Sequence, residues 1–258
     1  MRPGKADSAY GETKNLNHPG ISGIKAARPK QPHQFMCANY EPLINPERFS
    51  THFNVDTSDW PLDLKSSLWP GYLGPFLRKH EFADAGDNAV PFRELCVGSF
   101  GLIPHWSKDN LIARKTYNAR SETVHEKPSY RDAWKAARHC IIPAEAIYEP
   151  DWRSGKAIPT RISRTDGKPM GIAGIWGTWR SPAGEVVHSF TMLTINADTH
   201  SVMRQFHKPD DEKRMVVILN EQNYDPWLQA SATESRDFLK QYPAEKLLAV
   251  SKASGNLF

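Results

Sequence analysis

Six short runs of apolar and β-branched residues, most of them bounded by glycine, proline or aspartate, constrain this chain more than any other feature. They are VGSFGLI (97–103), CIIPAEAIYE (140–149), TRISR (160–164), MGIAGIW (170–176), VVHSFTMLTIN (186–196) and RMVVIL (214–219). Runs of this length read as strands, with Thr165-Asp166-Gly167 as the turn between the third and fourth. Pro150 is expected to stop the second run, because proline cannot donate to a strand ladder. Helical patterning is sparser. SYRDAWKAA (129–137) places Tyr130, Ala133, Trp134 and Ala137 on one face, and two more helical segments fall near 221–230 and 233–241. The polar stretch 77–94 reads as a long surface loop. The expected class is α+β: a single domain with a mainly antiparallel sheet or barrel-like core and flanking helices.

The text before residue 36 is different. Residues 1–35 are rich in Gly, Pro, Asn and Lys and have no hydrophobic period, so they read as a disordered tail, or as an upstream extension of a chain whose true start is Met36. Residues 36–258 read as the folded domain. A chain of 258 residues can build one large core. No apolar run approaches the roughly 20 residues that span a bilayer, and the N-terminus has no secretory apolar core. The expected location is cytoplasmic, with no membrane partner.

The net charge of +4 belongs to the tail, because residues 36–258 carry 27 basic and 27 acidic side chains. Any nucleic-acid surface on the folded part must therefore come from local charge separation. The three cysteines, Cys37, Cys96 and Cys140, are too few and too irregularly spaced for a disulfide framework or a structural zinc site. Cys96 and Cys140 read as small buried hydrophobes. Cys37 differs, because it directly follows an internal methionine.

Four segments carry chemistry: MCANY (36–40); FGLIPHW (100–106) with TYNARSET (116–123); IIPAEAIYEP (141–150); and the stretch 193–219, which holds FHK at 206–208 and RMVVIL. Each resembles a signature of the SOS response-associated peptidase (SRAP) family, and they occur in that family's order across essentially all of 36–258. The family's patterns are Met-Cys-Gly-Arg-Tyr, W-G-L-I-P-x-W, N-A-R-x-E, P-A-x-G-F-Y-E-W, and a histidine shortly before R-M-P-V-I-L.

The resemblance implies binding of single-stranded DNA and a stable thiazolidine crosslink to abasic sites, nucleoid association, and site residues Cys37, Asn118, Glu149 and His207. The chemistry is consistent with general principles. A ring-opened abasic sugar presents an aldehyde. An N-terminal cysteine presents an amine and a thiol on adjacent carbons, so the amine forms an imine and the thiol closes a five-membered ring. An α-amino group titrates near 7.7–8.0, leaving a useful neutral fraction at neutral pH, and the ring closure is intramolecular. No metal or cofactor is expected, and the protein is expected to act as a monomer.

Glu149, at the end of an apolar run, is suited to moving protons during opening of the sugar ring, although a strand-end surface carboxylate is the plainer reading. His207 suits proton transfer or polarisation of sugar oxygens, although any one of ten histidines is more often structural. Asn118 can orient the Cys37 amine or the sugar, or simply cap a turn. Arg120 would share a side with Asn118 on an extended segment and suits phosphate binding. Trp106 either stacks on an unpaired base or packs in the core.

The sequence departs from the family's pattern in four places. Ala38-Asn39 stands where Gly-Arg is usual, so Asn39 replaces a phosphate-binding arginine in the DNA-contact set. Phe100 replaces a tryptophan, Ile147-Tyr148-Glu149-Pro150 replaces F-Y-E-W, and residues 208–213 lengthen the link from His207 to Arg214. Two other functions fit the same residues. One is a thiol (auto)peptidase with Cys37 as nucleophile and His207 as base, alongside a lyase activity that the imine would allow. The other is a DNA-binding module without covalent chemistry.

Overall fold

Alternating and fully apolar runs leave strands with one face or both to bury, and in this chain they solve the problem by closing on themselves. The computed structural model describes residues 38–60, 63–87 and 89–251. Its strands are β1 (Tyr40–Pro42), β2 (Leu73–Lys79), β3 (Arg93–Phe100), β4 (Asn118–Arg120), β5 (His139–Asp151), β6 (Ile158–Arg164), β7 (Met170–Arg180), β8 (Val186–Asn196), β9 (Arg214–Val216), β10 (Ile218–Leu219) and β11 (Leu247–Ser251). The helices are α1 (Pro46–Phe53), α2 (Arg131–Lys135) and α3 (Tyr224–Gln229), with short 3-10 turns between elements.

Strands β7, β8, β3, β2 and β5 neighbour one another in that order, and β5 pairs back onto β7. The ring makes a barrel-like core. Most pairings are antiparallel; β3 and β4 both run parallel to β8. The interior is filled by aromatics from successive strands. Phe100 and Phe190 stack with centroids 5.7 Å apart, Phe76 lies 5.3 Å from Phe190, and Tyr40 meets Phe100 edge-on at 5.1 Å. The fold is the expected single sheet-rich domain with a few helices.

Local chemistry explains several boundaries. Helix α1 begins because Asn45 accepts from the Arg48 N–H at 2.8 Å and Pro46 supplies a preset φ at the first turn. Gly101 ends β3 at φ +109°. A side chain there would place its Cβ 2.0 Å from the Ala113 carbonyl oxygen, so the glycine of FGLIP is required by close backbone approach.

Three expectations are corrected. Residues 77–79 and 93–94 are not loop but the paired ends of β2 and β3, with Leu77 opposite Leu95 and Lys79 opposite Arg93; only the part between them is a connection. The polar side chains misled because Arg78 and Glu94 satisfy each other across the pair at 2.5 Å. Pro150 does not stop β5, which runs on to Asp151. It sits opposite Pro159 of β6 at a position whose polar groups face the other edge, its carbonyl accepting from the His207 N–H, so the β5–β6 ladder loses no donor. Cys140 is fully buried as expected, but Cys96 is only half-buried. Burial pushes the Cys96 thiol up to about 11, the nearby Arg78 opposing the shift.

Candidate active site

β5 carries Ile147-Tyr148-Glu149 between two neighbours. On one edge β1 pairs Tyr40 with Ile147, and the Tyr148 N–H reaches the Asn39 carbonyl at 3.2 Å. On the other edge Glu149 lies opposite Thr160 of β6. Beyond Glu149, the Pro150 carbonyl accepts from the His207 N–H at 3.0 Å, and Asp151 bridges to Phe206. The segment after the 3-10 turn Met203–Gln205 is thereby fixed against the end of β5.

That contact decides where the His207 ring goes. His207 has φ +64°, a left-handed conformation that costs a non-glycine residue on the order of 1 kcal/mol. In exchange its Nε2 lies 3.0 Å from Oε2 of Glu149. Glu149 is 2% exposed and His207 3%. Burial opposes a charge on His207, but the Glu149 carboxylate outweighs it, and the imidazole pKa is raised above its ordinary value. The reading of Glu149 as a surface carboxylate therefore does not hold, and His207 is not a surface histidine but one paired inside the protein. The two residues, 58 positions apart, form one buried acid–base pair able to hold and pass a proton.

Tyr148, the neighbouring residue of β5, makes a separate set of contacts. Its hydroxyl bonds the Glu41 carboxylate, which also takes two bonds from Arg161, at 2.9 and 2.7 Å. Burial and Glu41 push the Tyr148 pKa up to about 12. Nothing in the sequence pattern singled out Glu41 or Arg161; they meet only because β1 and β6 flank β5.

Asn118 opens β4, half-buried, with its carbonyl accepting from the Tyr130 hydroxyl at 3.1 Å. Ala119 turns into the core and Arg120 out to solvent, so Asn118 and Arg120 do share a side. Arg120 is not a free cation: Glu212 holds it at 2.7 Å. Glu212 also bonds the guanidinium of Arg214 at 2.7 Å, and Arg214, itself 2% exposed, bonds Glu122 at 2.8 and 2.9 Å. Against the opposing effect of burial, Arg214 holds both the Glu122 and Glu212 carboxyls below their usual range. The lengthened 208–213 link thus delivers a carboxylate onto the arginine expected to meet phosphate.

Trp106 is 49% exposed, so it is not a core side chain; its indole N–H reaches the Pro128 carbonyl at 3.4 Å. Asn39 is half-buried and donates to the Ser67 hydroxyl at 3.3 Å. Cys37 lies outside the described residues. No helix among the described residues is long and apolar enough to cross a membrane.

The sequence profile of the family described as SOS response associated peptidase (SRAP) matches residues 36–256. Among similar proteins, the abasic site processing protein YoqW of Bacillus subtilis is 35% identical over 159 residues, covering 60% of this chain and 67% of that protein. The abasic site processing protein HMCES of Gallus gallus is 28% identical over 204 residues, covering 69% of this chain and 58% of that protein. A crystal structure of a protein from Bordetella bronchiseptica superposes with a TM-score of 0.74 at 44% identity, over 84% of this chain and 100% of that one. A Bacteroides thetaiotaomicron structure, at 23% identity and a TM-score of 0.68, covers 84% of this chain and 93% of that one and shares the fold.

Proposed function

The chain belongs to the SOS response associated peptidase family, and on that premise we propose that it processes abasic sites in DNA by capturing the lesion's aldehyde on an N-terminal Cys37. The observation that carries the proposal is the buried Glu149–His207 pair, set at the end of a strand whose Tyr148 N–H is bonded to Asn39, two residues after Cys37. The names of the relatives, abasic site processing proteins, agree with it.

The chemistry balances without an oxidant or cofactor. The Cys37 amine adds to the C1 aldehyde of the open sugar and water leaves, giving an imine. The Cys37 sulfur then bonds to the imine carbon and its proton passes to the nitrogen, closing a thiazolidine. Opening the sugar beforehand needs a proton delivered to the ring oxygen and one removed from the hydroxyl at C1. A carboxylate and an imidazole in contact and shielded from bulk water are suited to that exchange. Asn118 orients the amine or the sugar, and Arg120 meets the phosphate backbone of a single strand. The protein acts as a monomer on single-stranded DNA, and its active form begins at Cys37.

The test is direct. Protein beginning at Cys37 is mixed with a uracil-containing single strand that a glycosylase has converted to an abasic one. A band heavier by the mass of the strand should survive denaturing electrophoresis and should be absent when the uracil is left intact. No such band on the abasic strand overturns the proposal.

A further inference from the structure

The folded part of the chain is neutral in sum but not in distribution. Residues 104–138 carry eight lysines and arginines against four carboxylates, within a 36–258 region that balances at 27 and 27. This basic stretch contains Trp106, Asn118 and Arg120. It also walls a cavity of about 250 Å³, many times the roughly 30 Å³ that a water molecule takes up in the liquid.

One side of the cavity is the apolar turn Leu102, Ile103 and Pro104; the other is the face of α2 and its C-terminal turn, Ala133 and Ala136, with Arg138 and the Asp132–His105 pair, 3.6 Å apart, also in its lining. Leu102 and Ile103 are held rigidly. The Ile103 N–H donates to the Ser189 hydroxyl at 2.8 Å, and Thr116 donates to the Leu102 carbonyl at 2.7 Å. Arg138 is exposed, with its guanidinium carbon 5.3 Å from the centre of the Trp176 ring. The cavity is tied to the candidate site by one backbone step: Ser129 lines it, and the next residue, Tyr130, bonds the Asn118 carbonyl. The exposed indole of Trp106 is tied to Pro128, another wall residue.

We propose that this cavity is a nucleobase pocket, taking one unpaired base of the strand that flanks the abasic site. A slot with apolar walls, one arginine in its lining and an exposed indole beside it matches the flat aromatic face of a base that is joined through its sugar to a phosphate. The larger cavity beside α1, about 670 Å³, does not offer this: its lining, which includes Glu47, Arg48, Asp166, Lys168 and Glu221, presents polar and charged side chains and no large apolar one for a base to lie against. The pocket deepens the abasic-site reading and rests on it, and it adds a position-dependent grip on a base that is not the lesion.

The test uses single strands with a central tetrahydrofuran residue, which mimics an abasic site but has no aldehyde, so that only non-covalent binding is read. A second tetrahydrofuran is then placed at each flanking position in turn, and affinity is measured by fluorescence anisotropy. One position should matter: removing that base should weaken binding on the order of tenfold. Ala136→Trp, a change at an exposed wall residue that fills the slot, should abolish that position effect while thermal unfolding confirms an intact fold, and Arg138→Ala should reduce it. If all flanking positions behave alike in the unsubstituted protein, or if the pattern survives Ala136→Trp, the pocket is not a base site. Crosslinking to a natural abasic strand is scored separately. Normal crosslinking without a position effect removes the pocket alone, whereas no crosslinking and no binding removes both readings.

Discussion

Nε2 of His207 rests 3.0 Å from Oε2 of Glu149, with both side chains sealed from solvent and the histidine backbone in a left-handed conformation. The raised pKa of His207 makes this contact dependent on pH. A histidine whose folded pKa lies above its unfolded value near 6.5 contributes its full stabilisation below that unfolded value, and loses it as pH rises through the folded pKa. Glu149→Gln removes the carboxylate that holds the proton. It should cost about 3 kcal/mol at pH 6, as loss of one partner of a buried ion pair does, and less as pH rises through the raised His207 pKa and the imidazole gives up its proton; pH 9 serves as the upper point. Denaturant midpoints at the two pH values read the difference, and an equal cost at both would mean that the pair is not ionic.

His139 pulls in the opposite direction. It is buried at the start of β5, with its ring 4.1 Å from that of Trp227 and its Nε2 2.7 Å from the Ser235 hydroxyl. Burial lowers its pKa to about 4. The unfolded chain therefore binds the proton first, and stability should fall as pH drops from about 6.5 towards 4, by roughly 3 kcal/mol in total. His139→Gln should flatten that part of the stability profile even if it lowers stability at pH 7. A stability curve from pH 4 to 7 that keeps its slope in the variant would assign the acid sensitivity elsewhere.

How far sequence alone reaches can be seen in particular elements. The run 186–196 coincides with β8, and 160–164 lies within β6, because apolar and β-branched runs bounded by turn residues have few other ways to fold. Run 170–176 stops four residues short of the end of β7, since Gly177 and Arg180 break the apolar text but not the ladder. Run 214–219 is split at Val217 into two short strands serving different neighbours, β8 and β7. Helix α1 passed unremarked although Asn45-Pro46-Glu47 is a readable helix start. In the site, Glu149 and His207 could be picked only by motif, because no periodicity links residues brought together by a backbone bond between Pro150 and His207. Glu212 was hidden for the same reason: that carboxylate reaches Arg120 only because β4 and β9 both pair with β8 at Thr194.

The Arg120–Glu212 contact sets the DNA affinity that Arg120 can provide. A carboxylate already 2.7 Å from the guanidinium must be displaced by, or share the cation with, an incoming phosphate. Glu212→Gln should therefore strengthen binding to any single strand and steepen the salt dependence by about 0.7 in log–log slope, the value of one added phosphate contact. Arg120→Ala should weaken binding and make it shallower. Arg214 keeps its fork to Glu122 in either variant, so the fold should persist. Anisotropy titrations across a salt series read both slopes, and a Glu212→Gln protein that binds more weakly would make the carboxylate a support for Arg120, not a competitor of phosphate.

The covalent step turns on which groups of Cys37 are free. Cys37→Ala keeps the α-amine and loses the sulfur, so an imine can form and the strand can break by β-elimination, but no ring can close and no band should survive denaturation. Cys37→Ser should likewise leave no thiazolidine. Glu149→Gln should slow crosslinking about a hundredfold or more, as loss of acid–base catalysis typically does, while affinity for a tetrahydrofuran strand stays within a factor of about two; His207→Ala should behave in the same way. The decisive variant carries one extra residue before Cys37. It retains the thiol, so a peptidase using that sulfur as nucleophile would keep its activity, but it has lost the amine vicinal to the thiol. In aldehyde capture it should form no stable crosslink at all, as read by intact mass and by denaturing electrophoresis. An extended protein that crosslinks as well as the one beginning at Cys37 would rule the thiazolidine out.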